Sequence, residues 1–362
     1  MIKFLIGGSP CTHWSIAKSK NRQTTASGEG WELFRNFVIA KQRFKPDYFL
    51  YENNKSAASA IKEQISTELE APLQYINSAL VSAQNRERFY CHNFGDVPMP
   101  EDRGIALQDI LETGEAWQEK AYCLTATYDG AVAWNTLERK QRSMIAEVVD
   151  YTAIPTRIGT IENNAKNQDS HDSKPYRVYS PFGKSVTLQG EAGGMGAKTG
   201  LYACPTGPQG RDAPIYRVAS GKIEIKGKLY PINLPDGYCI IRKLTVTECC
   251  RLQTIPDDYC RVVSNTQAYR GLGNGWTAEV IIHLLAHALR DIPKSEEIIV
   301  LSMYDGIGTG RYCFDRLGYN NISYYAYEID KHAMAISMSN YPDIRQCGDA
   351  YAVREAGWFL AG

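Results

Sequence analysis

The chain begins with MIKFLIGGSPC (residues 1–11), an apolar run of strand length that ends in two glycines and leads into a Ser-Pro-Cys turn. Apolar runs of this kind are typical of strands buried on both faces of a parallel sheet. A cysteine directly after such a strand lies at the edge of the sheet, where it can act as a nucleophile. Cysteine is also among the most frequently buried residues, so this stretch alone leaves Cys11 between a nucleophile and a core residue.

Composition limits the classes of protein that the chain can belong to. Its 362 residues carry 40 basic and 40 acidic side chains, so any phosphate-facing surface must be local. No apolar run is long enough to span a membrane and no secretory signal pattern is present, so a cytoplasmic protein is expected. The ten cysteines are scattered without Cys-x-x-Cys spacing, which predicts reduced thiols and no bound metal.

Four further runs of strand character also end in a chemically distinctive group. They lie at residues 48–51, 297–303, 322–327 and 344–347. The groups that follow them are Glu52, the glycine loop at residues 304–310, Glu328 and Asp349. In parallel α/β sheets, ligands bind in the crevice beyond the carboxyl ends of the strands. The sequence therefore predicts one α/β sheet that gathers these groups and Cys11 around a single cleft.

A region of different composition separates the two sheet-forming parts. From residue 116 to 238 the chain consists of short strands, turns and glycine-rich runs. This pattern predicts a smaller, loop-rich domain inserted between residues 1–115 and residues 239–362. Connecting segments that carry many polar residues are where binding functions concentrate, so the insertion is a candidate recognition domain.

Helix signals flank the predicted strands. Helices are expected at residues 31–44, 59–69, 245–253, 277–289 and 309–317. The third opens with Thr245-x-x-Glu248, the pattern of a capping box, and Asn274 is expected to cap the fourth. Residues 11–30 form a polar loop long enough to be a mobile lid. The basic residues of this loop, which are either phosphate contacts or merely solvated, are Lys18, Lys20 and Arg22.

The last third has the arrangement of an adenosine-binding unit. A strand, Gly306-x-Gly308-x-Gly310, a helix and a second strand follow one another, and Glu328 ends the second strand. The glycines let the backbone approach the ligand, and the acid accepts hydrogen bonds from ribose hydroxyls. Asp349, after the next strand, is placed to take the adenine amino group. Arg311 stands where the usual phosphate fingerprint has a third glycine, which favours a ligand without a pyrophosphate, such as S-adenosylmethionine.

A cysteine, a carboxylic acid and a methyl donor in one cleft indicate nucleophilic methyl transfer to carbon 5 of cytosine. Attack by a thiolate at carbon 6 turns the ring into an enamine whose carbon 5 can accept a methyl group. Glu52 suits contact with ring nitrogen 3. Arg86 and Arg88, on one face of an extended segment, suit the carbonyl oxygen. The alternative for the two arginines is a surface ion pair with Glu87.

These residues resemble the motifs of DNA cytosine-5 methyltransferases. The matching segments are Gly7-Gly8-Ser9-Pro10-Cys11 with Ser15, Glu52-Asn53-Asn54, Gln84-x-Arg86-x-Arg88, Arg242-Lys243-Leu244-Thr245 with Glu248 and Arg251-Leu252-Gln253, Gly273-Asn274, and Tyr304-x-Gly306-x-Gly308. The stretch 305–310 and Trp276 look most like de novo-type and related phage or bacterial enzymes. The resemblance implies a Rossmann-like S-adenosylmethionine-dependent methyltransferase sheet, with residues 116–238 as the target-recognition domain.

The resemblance also implies roles for individual residues. Cys11 would be the nucleophile, Glu52 would contact ring nitrogen 3, and Arg88 with Arg86 would hold the base. The residues implied to bind the cofactor S-adenosylmethionine are Pro10, Asn274, Gly275, Trp276, Tyr304, Asp305, Gly306, Ile307, Gly308, Thr309, Glu328, Ile329, Asp349 and Ala350. Those implied to contact DNA are Ser15, Lys18, Lys20, Arg22, Gln84 and Thr187. The implied partner is double-stranded DNA, with a cognate restriction endonuclease as a further candidate, and neither a membrane nor a metal is expected.

The order of the motifs departs from that of most of the family. The usual order has the cofactor loop first and Ser-Pro-Cys later, whereas here the loop at residues 304–310 follows the catalytic motifs. The resemblance therefore implies a circularly permuted sheet, which keeps its contacts while its connectivity changes. Gly362 is then expected to lie near Met1.

Other functions remain open at this point. A tRNA cytosine-5 methyltransferase has the same fold, but usually carries Pro-Pro-Cys and a shorter recognition region. A non-catalytic regulator built on such a fold would have lost nucleophile or cofactor residues, and none is lost here. A dehydrogenase is the most distant alternative, because it leaves Cys11 and the segment 84–88 without a purpose. Methylation of duplex DNA is the preferred prediction, in a prokaryotic or phage-encoded enzyme acting as a restriction partner, an orphan or an anti-restriction enzyme.

Overall fold

The computed structural model describes most of the chain. The described residues are 1–15, 21–149, 157–160, 177–179, 201–202 and 214–358. Four residues that carried predictions lie outside them: Lys18, Lys20, Thr187 and Gly362. In the described part of the chain, no helix combines the length and the apolar character needed to cross a membrane.

The N-terminal elements follow the predicted pattern closely. They are β1 (Ile2–Gly7), α1 (Glu29–Phe44), β2 (Tyr48–Asn54), α2 (Ser59–Leu69), β3 (Leu73–Asn77), β4 (Gln84–Asn85) and β5 (Glu87–His92). The predicted helices at 31–44 and 59–69 are confirmed. Strand β3 ends at Asn77, because the Asn77 side chain accepts a hydrogen bond from the amide of Ala79 and turns the chain into a short 3₁₀ helix.

The middle of the chain contributes mainly short strands. They and the one helix described there are β6 (Ala121–Tyr122), α3 (Ala133–Arg139), β7 (Met144–Val149), β8 (Arg157–Thr160), β9 (Arg177–Tyr179), β10 (Leu201–Tyr202), β11 (Ile215–Ala219), β12 (Lys222–Ile225), β13 (Lys228–Pro231) and β14 (Gly237–Lys243). Five of them form a sheet in the order β13-β12-β11-β14-β7, with antiparallel neighbours throughout. The predicted boundary at residue 238 falls inside β14.

The C-terminal part returns to alternating helices and strands. Its elements are α4 (Val246–Leu252), α5 (Asn265–Asn274), α6 (Ala278–Ala288), β15 (Ile298–Met303), α7 (Thr309–Arg316), β16 (Ile322–Tyr327), α8 (Lys331–Asn340) and β17 (Arg345–Gly348). The capping box of α4 is confirmed, with Thr245 and Glu248 each accepting from the other's amide. The cap predicted at Asn274 is wrong: this residue ends α5, and Thr277 precedes α6. Helices α5 and α8 were not predicted.

Seven strands form the central sheet, in the order β17-β16-β15-β1-β2-β5-β3. The first five are parallel, and β5 runs antiparallel to both β2 and β3. The register pairs Ile2 with Ile298 and Gly7 with Met303, so β1 and β15 end level. The mostly parallel α/β sheet that the sequence predicted is therefore present, with the carboxyl ends of its five parallel strands at one edge.

Both faces of this sheet are covered, as the continuous apolar character of β1 predicts. Phe4 and Ile6 join one apolar cluster, in which Phe4 lies edge-on to Phe314 of α7 with ring centroids 5.5 Å apart. Leu5, between them, points to the opposite face and joins a second cluster with Phe34 of α1. All three β1 side chains are fully buried. Burial of such a side chain contributes about 2 kcal/mol, which makes the position of the first strand and of the turn after it well determined.

Candidate active site

Cys11 lies in the turn that leaves β1. Residues Cys11–His13 form a single 3₁₀ turn, and the carbonyl oxygen of Cys11 accepts hydrogen bonds from the amides of Trp14 at 3.1 Å and Ser15 at 3.0 Å. The Cys11 thiol is partly exposed, whereas Trp14 is fully buried and anchors the turn. Cys11 is therefore accessible at the sheet edge on a backbone that its neighbours hold in place, and is not a core residue.

The end of β2 holds the approach to this turn. The side-chain amide of Asn53 donates to the carbonyl oxygen of Ser9 at 2.9 Å and to the hydroxyl of Tyr51 at 3.0 Å. The Ser9 and Tyr51 hydroxyls are 2.7 Å apart. A Cβ atom on Gly8 would lie 2.6 Å from the carbonyl oxygen of Glu52, so only glycine allows this approach. Asn53 thus holds the backbone that leads to Cys11, whereas in the sequence it was noted only as part of a motif.

Glu52 is buried and bonded through both carboxylate oxygens. Its Oε1 lies 2.9 Å from Nε of Arg88, and its Oε2 accepts a hydrogen bond from the indole Nε1 of Trp276 at 3.0 Å. The residue is 8% exposed. Arg88 also donates through Nη1 to the carbonyl oxygen of Glu87. The structure therefore brings Glu52 and Arg88 together as predicted, and adds Trp276, which the sequence had placed only in the cofactor pocket.

Arg86 has a different environment from Arg88 although both lie on one face of the segment. Its Nη1 donates to the carbonyl oxygen of Leu124 at 2.9 Å, and its Nη2 donates to those of Gly273 and Gly275 at 3.2 and 2.6 Å. The residue is 3% exposed, and burial lowers the pKa of its guanidinium. Arg86 therefore joins three chain segments, and its donors are directed at the backbone.

The alternative of a surface ion pair between these arginines and the Glu87 carboxylate is not observed. That carboxylate pairs instead with Lys55, with 2.6 Å between Lys55 Nζ and Glu87 Oε1. Strand pairing explains the choice, because successive side chains of β5 point to opposite faces and Glu87 faces away from its two neighbours. On the other face, Arg86 binds backbone carbonyl oxygens and Arg88 binds Glu52.

Cys123 is a site residue that sequence reasoning missed. Its Sγ lies 3.4 Å from Nη1 of Arg86 and 3.7 Å from Nη2 of Arg88. Burial raises the pKa of the Cys123 thiol, but the two guanidinium groups lower it by more, so the pKa lies below its usual value. One cysteine among ten carried no spacing signal in the sequence. Only the packing of β6 against β4 shows that Cys123 belongs to the cleft.

Two of the residues predicted to contact DNA form hydrogen bonds within the protein. Gln84 is fully buried, and its amide donates to the carbonyl oxygen of Leu252 at 2.7 Å and to Oε1 of Gln253 at 3.0 Å. A fully buried side chain cannot contact DNA, so Gln84 is corrected to an internal support. Arg22 donates through Nε to the carbonyl oxygen of Trp14 at 2.9 Å and through Nη2 to that of Ser56. Ser15 is half-buried directly after the Cys11 turn, and its amide donates to the carbonyl oxygen of Cys11.

The cofactor side begins at the end of β15. Tyr304 adopts a left-handed backbone conformation, with φ 61°, and its hydroxyl donates to the carbonyl oxygen of Leu33 at 2.8 Å. Burial raises the pKa of Asp305 to about 6, although Ser302 and Tyr324 each donate to Oδ1 at 2.7 Å. Its other oxygen, Oδ2, is buried and has no hydrogen-bond partner in the described part of the chain. An unsatisfied buried carboxylate oxygen is costly and needs an explanation such as a ligand.

Glu328, directly after β16, binds the backbone of the glycine loop. Its Oε2 accepts a hydrogen bond from the amide of Gly306 at 2.8 Å, and its Oε1 accepts from the amides of Ile329 and Asp330, also at 2.8 Å. Ile329 is 72% exposed, the highest value among the large apolar residues that the structure describes. Gly306 has φ 64°, and a Cβ there would meet no atom within 4 Å. The loop therefore faces open space.

The remaining predicted cofactor residues divide by exposure. Ile307 and Thr309 are buried, at 1% and 3% exposure, so their side chains support the loop and do not line an open surface. Asp349 accepts a hydrogen bond from the amide of Tyr351 at 2.9 Å and caps the turn that contains Ala350. Of the others, Pro10 precedes the Cys11 turn, Asn274 and Gly275 lie at the end of α5, and Gly308 precedes α7.

The sheet order decides how the two groups of residues meet. Because β1 lies between β15 and β2, Cys11 stands between the glycine loop on one side and Glu52 on the other. Among the described residues, no group of three or more histidine, cysteine, aspartate or glutamate side chains could hold a metal ion. The cleft thus offers a thiol, a carboxylate with an arginine, and a glycine loop with an acid, in that spatial order.

Comparison with known proteins gives the family. A model of C-5 cytosine-specific DNA methylases matches residues 1–289. Orphan methyltransferase M.Rho11sI of Bacillus phage rho11s is 24% identical over 275 residues, with 64% of this chain and 52% of the relative covered, so this chain spans about half the length of that relative. Type II methyltransferase M.HhaI of Haemophilus parahaemolyticus is 23% identical over 310 residues, with 80% and 76% covered.

Solved structures include a more distant likeness. A protein described as a DNA modification methyltransferase encoded within a prophage of E. coli is 16% identical, with 80% of this chain and 79% of that chain covered and a TM-score of 0.37. A score this low carries no argument about this protein. The match of the family model, by contrast, extends over well more than half of the chain. The chain belongs to the C-5 cytosine-specific DNA methylase family.

Proposed function

We propose that this protein transfers a methyl group from S-adenosylmethionine to carbon 5 of a cytosine in double-stranded DNA. The observation that carries the proposal is the strand order β15-β1-β2, which puts an accessible Cys11 between an adenosine-type loop and the Glu52–Arg88 pair. Family membership supports the same reaction class. A sheet that only binds a dinucleotide would need neither a thiol nor a carboxylate at this position.

The residues at the end of β15 and β16 fit S-adenosylmethionine. Glu328 is placed to accept hydrogen bonds from ribose hydroxyls, and the exposed side chain of Ile329 offers an apolar surface for an adenine ring. The buried, unpartnered Oδ2 of Asp305 suits a ligand that carries positive charge. When bound, S-adenosylmethionine would supply an electrophilic methyl group at the edge of the sheet near Cys11.

The chain's own residues would then act on the base. The target cytosine must leave the duplex stack, which costs about a few kcal/mol. The Cys11 thiolate adds to carbon 6, so that the electron pair of the ring double bond becomes available at carbon 5. Glu52 contacts ring nitrogen 3, and Arg88, which holds Glu52, stabilises charge on the carbonyl oxygen. As carbon 5 gains the methyl group, the carbon–sulfur bond of the donor would break and a neutral thioether would leave. The carbon 5 proton then passes to water, and elimination returns the thiolate of Cys11.

The recognition of DNA is assigned to the insertion. We place the target-recognition domain at residues 116–238. Strand β14 of its sheet extends beyond that boundary, to Lys243. The flanking parts, residues 1–115 and 239–362, then form one methyltransferase domain. Lys18, Lys20 and Thr187 stay predicted DNA contacts. The relatives include an orphan and a type II methyltransferase, so both an orphan role and pairing with a restriction endonuclease lie within the proposal.

The motif order is assigned as circularly permuted. The assignment is supported by the family model, which stops at residue 289, before the loop at 304–310, and by the parallel pairing of β15 with β1, in which Ile298 lies beside Ile2. The amino group of Met1 also lies against the Glu296 carboxylate, next to the start of β15. A variant in which residues 296–362 are moved in front of Met1 through a short linker is expected to fold and to retain methylation. Failure of that rearranged chain to fold would contradict the assignment.

The reaction itself is tested on mixed-sequence DNA. The purified protein is incubated with S-adenosylmethionine and duplex DNA, and modified cytosines are mapped by bisulfite sequencing. We expect protected cytosines within one short recurring sequence. A parallel incubation with unmodified tRNA tests the alternative substrate. Methylation of tRNA alone, or methylation of adenine in place of cytosine, would contradict the proposed function.

A further inference from the structure

We propose that Trp276 is a positioning residue for Glu52. Its indole N–H fixes one carboxylate oxygen while Arg88 fixes the other, so that the acid is oriented from the segment that follows α5. This inference rests on the proposed function, because its consequence is measured on methyl transfer. It differs from the predicted role of Trp276 as a wall of the cofactor pocket.

The contact is specific in its geometry. Trp276 Nε1 lies 3.0 Å from Glu52 Oε2, and Arg88 Nε lies 2.9 Å from Glu52 Oε1. The side chains of Glu52 and Arg88 are only 11% and 15% exposed. Indole nitrogen is a donor only, so this hydrogen bond has one direction. Donors on both oxygens hold the plane of the carboxylate, which would otherwise rotate about its terminal bond.

The position of Trp276 is itself held from two sides. Arg86 donates to the carbonyl oxygens of Gly273 and Gly275, directly before Trp276 in the chain. The Gln253 amide donates to the same Gly275 oxygen at 3.3 Å. The hydroxyl of Thr277, directly after Trp276, donates to Oε1 of Gln253 at 3.1 Å. The backbone on either side of the indole is therefore anchored to buried groups, and the indole can serve as a fixed donor.

This arrangement gives the arginine pair two separate functions. Arg88 binds Glu52 directly, whereas Arg86 acts on the same carboxylate indirectly, through the backbone that presents Trp276. Glu52 is held by residues 36 and 224 positions away in the sequence. Correct orientation of the acid therefore depends on docking of the segment after α5, which also carries the predicted cofactor residues Asn274 and Gly275.

Two substitutions separate the donor from the ring. Trp276→Phe removes the N–H and keeps an aromatic side chain. Trp276→His keeps a five-membered ring whose Nε2 can occupy the place of the indole Nε1 and donate to Glu52. Trp358→Phe is the matched control, because the Trp358 indole also donates a hydrogen bond, to the Tyr327 hydroxyl, and packs against Arg43. For each, kcat and KM for DNA are measured, and the Kd for S-adenosylmethionine is measured by calorimetry.

We expect Trp276→Phe to lower kcat about 10- to 100-fold, as loss of a hydrogen bond to a charged group predicts, with the Kd for S-adenosylmethionine changed less than about threefold. Trp276→His should retain more of the rate, and Trp358→Phe should match the unsubstituted chain. In a Glu52→Gln background, Trp276→Phe should cause little further loss, because its effect passes through the carboxylate.

Several outcomes would overturn the inference while the proposed function stands. They are an unchanged kcat in Trp276→Phe, equal losses in the Phe and His variants, a full additional loss in the Glu52→Gln background, or a large rise in Kd with kcat preserved. The last would return Trp276 to the cofactor pocket. Absence of methylation by the unsubstituted chain would overturn both proposals. Because calorimetry reports cofactor binding without turnover, a variant that merely fails to fold is recognised by its loss of binding.

Discussion

The two sides of the cleft are built differently. On the cofactor side, both oxygens of Glu328 are satisfied by backbone amides within or next to the glycine loop and its own turn. On the base side, both oxygens of Glu52 are satisfied by side chains, Arg88 and Trp276, from distant parts of the chain. The first side needs only two neighbouring strands and the loop between them, whereas the second exists only once several segments have docked.

This difference predicts separable effects of substitution. Changes on the cofactor side should alter affinity for S-adenosylmethionine, because the loop geometry is local. Changes on the base side should alter the rate or the stability, because the groups there are held by long-range contacts. The first three variants below test this division, and the fourth tests the buried acid at the end of β15; they are given from the largest expected effect to the smallest.

Cys11→Ala should abolish turnover, with a loss of more than about 10³-fold, because it removes the thiolate that is proposed to bond to carbon 6. The Kd for S-adenosylmethionine should stay unchanged, since Cys11 follows β1 and the loop follows β15. Methyl transfer is measured with radiolabelled cofactor, and binding by calorimetry. Cys347→Ala is the control, because this partly exposed thiol lies in β17. Methylation retained by Cys11→Ala would remove the covalent step from the mechanism.

Arg86→Met should destabilise the fold by about 2–4 kcal/mol, because it removes the guanidinium hydrogen bonds to the carbonyl oxygens of Leu124, Gly273 and Gly275 and leaves Gly275 only the longer bond from Gln253. The free energy of unfolding is measured by urea titration. Arg261→Met is the control, since Arg261 forms an exposed ion pair with Asp258 and its loss should cost less than about 1 kcal/mol. Equal stability of the two variants would show that Arg86 is not the link between the three segments.

Glu328→Gln should weaken binding of S-adenosylmethionine about tenfold while kcat at saturating cofactor stays within about twofold, because one charge-assisted hydrogen bond is weakened on the cofactor side only. Glu355→Gln, at an exposed position after the last 3₁₀ turn, should leave both values unchanged. Kd is measured by calorimetry and kcat by a methylation time course. A fall in kcat without a change in the Kd for S-adenosylmethionine would contradict the proposed division between the two sides.

Asp305→Asn should change the pH dependence of stability by about 1–2 kcal/mol. Burial raises the pKa of Asp305 to about 6 in the folded state, above its ordinary value of 3.8. The folded protein therefore binds the proton more tightly than the unfolded chain, and this group costs stability as pH rises from about 4 through 6. The free energy of unfolding is measured for both chains at pH 4.5 and 7.5. Relative to the unsubstituted chain, the variant should be more stable at pH 7.5 than at pH 4.5. A constant difference would mean that Asp305 is ionised throughout.

The sequence alone was sufficient for features that depend on local patterns. Continuous apolar runs predicted the five parallel strands, because a strand buried on both faces cannot alternate with polar residues. Glycines and acids directly after those strands located Cys11, Glu52, Glu328 and Asp349, because parallel strands bring their carboxyl ends to one edge. Helix α5 was missed because Gly271 and Gly273 interrupt it, and both glycines are required by close packing against Ile307 and Thr125.

Only the tertiary structure decided what the polar side chains contact. Gln84, Arg86 and Arg88 alternate along one short segment and look equivalent in the sequence, yet Gln84 is sealed inside, Arg86 binds backbone, and Arg88 binds Glu52. Cys123 and Trp276 entered the base side for the same reason: their partners lie on strands and turns that are distant in the chain. Hydrophobic periodicity determines which face of an element is buried, but the partner of a buried polar group depends on which elements dock against that face.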